Sequence, residues 1–138
     1  MAKVEDLERQ GLIRRLQPDP QAVENAMSLA RRDVGVAGSV LAGNSDWAYT
    51  IAYNAMLQAG RALMFSKGYR PAGTNQHISV VKFAELFLDG EIVLAFDRMR
   101  RKRHITVYDV AGTVSEEEAK NAVSRAEVFL DVVERLLC

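Results

Sequence analysis

The sequence predicts an all-α protein, an up-and-down bundle of four to five main helices within a single domain spanning residues 1–138. Three observations carry this expectation. Apolar residues recur every three or four positions along most of the chain, the spacing of one helix face. Capping residues and glycines stand where those stripes begin and end. No segment alternates apolar and polar side chains convincingly, as a half-buried strand would.

Each element has its own justification. Residues 3–16, KVEDLERQGLIRRL, read as an accessory helix within the N-terminal segment 1–17, with Gly11 as a weak point. LQPDPQ breaks it. Asp19 can then cap a second helix, and Pro20 fits its first turn, where a missing N–H costs nothing. In that helix Ala22, Ala26, Leu29, Ala30 and Val34 form the apolar stripe, and Gly43 and Asn44 close it. A third helix opens at Ser45 or Asp46 and stops at Gly68. Its alanines, Ala48, Ala52, Ala55, Ala59 and Ala62, form a row that lets a neighbour approach closely, with Ile51, Met56 and Leu63 widening it. It is the central core helix, with an apolar arc of more than ~100°.

Residues 69–73 read as a loop. A fourth helix, capped by Thr74 or Asn75, carries Ile78, Val81, Phe83, Ala84, Leu86 and Phe87. Asp89-Gly90 is a turn signal. Residues 91–103, EIVLAFDRMRRKR, are apolar in their first half and basic in their second. Residues 105–112, ITVYDVAG, either continue that helix or form a short irregular link. The last helix opens with the capping box Ser115-x-x-Glu118 and carries Ala119, Ala122, Ala126, Phe129, Val133 and Leu136.

Bulk composition narrows the function classes. The 18 basic and 18 acidic residues cancel, which argues against a generic nucleic-acid coater with a broad basic surface. The one cysteine, Cys138, cannot form an internal disulfide, so a reducing cytoplasm is the expected setting. The start, MAKVEDLERQ, does not read as a secretory signal. The longest uncharged run, residues 34–45, is far short of the ~20 apolar residues that span a bilayer, so no membrane association is expected. Two histidines and a distant cysteine offer no metal constellation, and glycine-rich phosphate loops are absent, so no metal and no cofactor are called for.

Against this neutral background, residues 98–104 read RMRRKRH. The bland reading is a solvated helix end, whose basic residues suit the negative end of the helix dipole. The sharper reading is phosphate chemistry. A histidine near its ordinary pKa of about 6.5 serves as acid or base at neutral pH. A guanidinium forks onto phosphate oxygens and stabilises charge growing on them.

Two stretches carry a family resemblance. Tyr53-Asn-Ala55-Met56, Ala59, Ala62-Leu63, Gly68 and Arg70-Pro71, within residues 45–71, are similar to the central helix and following turn of HEPN-domain proteins. Downstream, Arg98 and His104 fit the family's Arg-x(4–6)-His motif. The resemblance covers roughly residues 20–137. It implies a helical bundle that forms a homodimer, with Arg98 and His104 catalytic in metal-independent RNA cleavage. It also implies, for many members, a toxin role beside a nucleotidyltransferase-type antitoxin, and for others a non-catalytic module that binds RNA, a nucleotide or a partner protein. On this reading Arg100, Arg101, Lys102 and Arg103 hold the flanking RNA backbone. Related toxins carry a tyrosine after the motif histidine, which makes Tyr108 a supporting candidate; His77 is another.

Helix geometry leaves one question open. Positions 98 and 104 are about 240° apart around a straight α-helix and share no face. Arg100 and Arg101 do share one with His104. Either the helix ends or distorts before His104, or Arg100 or Arg101 takes the motif role.

Overall fold

The computed structural model describes residues 3–137; Cys138 and the first two residues of the N-terminal segment lie outside them. The elements run α1 (Val4–Arg9), β1 (Ile13–Arg15), α2 (Pro20–Val40), α3 (Ser45–Ser66), β2 (Tyr69–Pro71), α4 (Gln76–Ala84), α5 (Gly90–Tyr108) and α6 (Glu116–Leu137). The fold is all-α in character, as the apolar spacing predicts.

α3 is the axis of the bundle: α2, α4, α5 and α6 all pack on it. Its five alanines are all fully buried. Gly60 on the same helix goes further. A Cβ there would meet Val80 Cγ1 of α4 at 2.5 Å and Phe96 Cε2 of α5 at 4.0 Å, so this position must stay bare for α4 to seat. Larger side chains fill the remaining space. Phe96 of α5 and Phe129 of α6 are both fully buried, with ring centroids 4.9 Å apart.

Helix boundaries follow local chemistry. Asp19 caps α2 by accepting from the Gln21 N–H, and Ser115 and Glu118 form the reciprocal capping box of α6. Gly68, at φ +84°, follows the end of α3 in the left-handed region. Asn75, one of two caps expected for α4, accepts from the Ile78 N–H. The cap of α3 differs from expectation. Asn44 fills it, accepting from the Trp47 N–H, while Asp46 reaches across to accept from the Gly112 and Val114 N–H groups. One carboxylate thereby pins the α5–α6 connection to the start of the core helix.

The N-terminal segment also differs. Its helix covers only residues 4–9, and Gly11, at φ +75°, turns the chain out of the helix. Residues 13–15 then pair antiparallel with residues 69–71, where the sequence predicts a loop; Ile13 faces Pro71 and Arg15 faces Tyr69. A three-residue strand with one buried side chain is too short to show alternation. Ile13 is nevertheless fully buried, and this clasp continues as the Ala72 N–H donates to the Leu12 carbonyl.

Candidate functional site

The basic run sits on a helix that does not stop. α5 continues as regular helix to Tyr108, so residues 105–108 are helix and 109–115 the link. The arginines are therefore interior to α5, not in its last turn, and the helix dipole does not account for them. Val93, Phe96 and Met99 bury the first half of α5 in the core. From Arg100 to Thr113 no residue is fully buried, so the second half lies at the surface of the bundle.

Close basic neighbours at i,i+3 and i,i+4 repel, by roughly 0.2–0.5 kcal/mol per pair. Few carboxylates relieve this. Asp97 accepts from Arg100 Nε at 2.9 Å and lies 3.6 Å from Arg101 Nε. Lys102 turns away to Glu118 of α6 at 2.7 Å, and this bond holds the Glu118 carboxyl below its usual range. Arg103 has no carboxylate partner among the described residues; its guanidinium lies 5.6 Å from the Tyr108 ring centroid.

A cleft of about 460 Å³ lies along this half, lined by Asn75, His77, Arg100, Arg101, Arg103, His104 and Tyr108. Both histidines of the chain thus share one cleft. His104 is exposed, and its ring packs on Tyr108 one helical turn later, centroids 4.9 Å apart. His77 comes from the first turn of α4, where the Asn75 cap sets the helix start beside the cleft. Its Nδ1 is 2.9 Å from the hydroxyl of Tyr53, a buried residue of α3, and the two rings stack.

This bond favours one His77 tautomer. The buried Tyr53 hydroxyl has no other hydrogen-bond partner among the described residues, which favours donation of its proton to Nδ1. The proton of neutral His77 is then on Nε2, as a donor. Burial, then Arg103 and Arg100, push the His77 pKa below its ordinary value and favour this neutral form. Burial pushes the Tyr53 phenol up, against the opposing pull of the same arginines, so it stays protonated.

Arg98 goes elsewhere. It lines a separate cleft with Tyr49, Met99, Glu118, Asn121 and Arg125, on another face of α5. With the helix regular through His104, Arg100, four residues earlier, shares its face instead. Tyr53 reads in the sequence as a base-stacking candidate whose place beside an alanine stripe favours core or interface. It is core, with only its hydroxyl reaching the site. Asn75 was legible as a cap alone.

The family model described as HEPN domain matches residues 21–136. The chain belongs to the HEPN family. Two crystal structures share the HEPN-like bundle: TT1696 from Thermus thermophilus, at TM-score 0.68 and 18% identity over 82% of this chain and 96% of that one, and ST0689, an archaeal HEPN homologue, at TM-score 0.68 and 17% identity over 84% and 98%. At such identities the likeness shows the fold alone. A comparison with curated proteins finds no match. The HEPN match begins after α1 and β1, so the N-terminal half of the clasp lies outside it.

Proposed function

We propose that this HEPN protein is a metal-independent endoribonuclease acting at the cleft on α5. The observation that carries the proposal is the meeting of two histidines and three arginines in one open cleft, with Asp97 alone among the described residues paired to those arginines. RNA cleavage of this class needs a base to take the ribose 2′-hydroxyl proton as that oxygen attacks phosphorus. It also needs an acid to protonate the leaving 5′-oxygen, and positive charge on the phosphorane between them.

His104, exposed on the cleft, is assigned the acid–base role. Arg100 and Arg103 are assigned the phosphate oxygens, with Arg101 on the flanking backbone. His77, neutral and presenting Nε2–H, is a hydrogen-bond donor to the phosphorane rather than a base. Lys102 and Arg98 hold backbone beyond the cleft, and Arg98 meets a His104 only where a second protomer supplies it. A homodimer would place two such clefts together and give the acid and base separate histidines. From the family resemblance we further assign the protein to the toxin side of a toxin–antitoxin pair, checked by a nucleotidyltransferase in the cytoplasm.

A second reading, a non-catalytic module binding RNA, a nucleotide or a partner, is favoured by one observation: Asp97 already neutralises part of the charge of Arg100 and Arg101. One assay separates them. RNA is incubated with purified protein in excess chelator, beside His104→Ala. Cleavage by the wild type that the substitution abolishes supports the nuclease; binding without cleavage supports the module; cleavage that survives His104→Ala overturns the mechanism.

A further inference from the structure

A second cleft, of about 380 Å³, opens between α2 and α3, lined by Asp33, Val36, Thr50, Ile51, Asn54 and Arg103. Arg103 also lines the basic cleft, so the two meet at that side chain. The polar content of this second cleft is unlike the rest of the helix interface. Asp33 is only 6% exposed, on a helix whose other buried residues are alanines and a methionine. Burying a carboxylate is costly, and an alanine here would continue the stripe. Thr50 is 9% exposed, and its hydroxyl has no hydrogen-bond partner among the described residues. Asp33 is held there by hydrogen bonds, whereas the Thr50 hydroxyl contributes none among the described residues.

The hydrogen bonds define what the cleft offers. Asp33 Oδ2 accepts from Asn54 Nδ2 at 2.8 Å, and Oδ1 accepts from Arg32 Nε at 2.9 Å. An ionised carboxylate only accepts, so it fixes which end of the Asn54 amide faces it. Asn54 is left with its carbonyl oxygen and one N–H, a set donor–acceptor pair one helical turn from Thr50. The Asp33 oxygens keep further lone pairs beside it. Such an edge suits an exocyclic amine next to a ring-nitrogen acceptor, the pairing an asparagine makes with adenine. Uracil offers carbonyl oxygens on both sides of its one N–H and sets one of them against the carboxylate.

We propose that this cleft is a nucleobase subsite for an amino-bearing base with an adjacent ring-nitrogen acceptor, adenine or cytosine, on the nucleotide whose phosphate lies on Arg103. The inference rests on the reading of the basic cleft as a phosphate site.

The test is calorimetric titration of the full chain with AMP, CMP, UMP and ribose 5-phosphate, alongside NMR of the Asn54 side-chain amide. AMP and CMP are expected to bind about tenfold more tightly than UMP or ribose 5-phosphate. Only the amino-bearing bases are expected to shift the Asn54 amide resonances. In Asn54→Leu, AMP falls to the level of ribose 5-phosphate, whose own affinity is unchanged. Should UMP and ribose 5-phosphate bind as tightly as AMP, the subsite is refuted while the phosphate reading stands. Should none of the four bind, both are refuted. The wild-type ligand series decides the matter even if Asn54→Leu fails to fold.

Discussion

The Tyr53 hydroxyl stands 2.9 Å from His77 Nδ1, joining the middle of the core helix to the rim of the basic cleft. A rigid helix interior thereby sets the orientation of a side chain on a short peripheral helix. In wild-type protein the His77 ring is expected in the Nε2–H tautomer, read from its two nitrogen shifts by NMR. Tyr53→Phe removes the donor; a mixture of tautomers is then expected, with a stability loss of about 1 kcal/mol. An unchanged tautomer in that variant would show that the hydroxyl does not set it.

Protonation of His77 should weaken the fold. Its folded pKa is depressed by burial and by Arg103 and Arg100, so between that value and about 6.5 the unfolded chain binds more protons. The His77 contribution is present above about pH 6.5 and is lost as pH falls toward the folded pKa. Denaturant unfolding at about pH 7.5 and about pH 5 is expected to show a smaller difference for His77→Asn than for wild type. Arg103→Gln should raise the His77 pKa in an NMR titration.

Arg98 and Arg100 make different claims on catalysis. If one protomer's cleft is sufficient, Arg100→Ala lowers RNA cleavage by about 100-fold, the scale of losing one charged stabiliser, and Arg98→Ala changes it little. If Arg98 instead serves a partner's His104, mixing Arg98→Ala with His104→Ala chains restores activity that neither has alone.

Crowded positive charge makes the second half of α5 responsive to anions. Phosphate, compared with chloride at equal ionic strength, is expected to raise Tm by about 3 °C, as bound ligand stabilises the native state. Arg103→Ala should remove most of this rise, because Arg103 is the cleft arginine without a carboxylate partner among the described residues.

Gly60 is a pure packing test. Gly60→Ala sets a methyl against Val80 Cγ1 and is expected to cost about 1–3 kcal/mol. Val80→Ala in the same chain should recover part of that loss, as chemical denaturation would show.

Much of the bundle was legible because it is written in local chemistry: the alanine row of α3, the Asp19 cap, the box at Ser115 and Glu118. Two of the errors share one cause, that a long-range partner outweighs a local signal. Asp46 reads as a cap but reaches residues 112 and 114. Residues 69–71 read as loop because their strand partner lies more than fifty positions earlier. The site was legible as a charge run and a histidine. The helical angle between residues 98 and 104 raised the question of which arginine shares a face with His104, and the unbroken helix of α5 sets Arg100 there. Periodicity could not bring His77 to that place, because its position depends on how α4 seats on Gly60 and Tyr53.

The clasp formed by β1 and β2 reaches further than its own short ladder. Beyond β2 the chain runs through Ala72, whose carbonyl accepts from the Ser79 hydroxyl, to the Asn75 cap and His77. Residues 12–15 are therefore a brace on one wall of the cleft, supplied by chain that the HEPN match does not include. A chain trimmed to the matched span would lose this support of the His77 wall together with the buried Leu7 and Ile13.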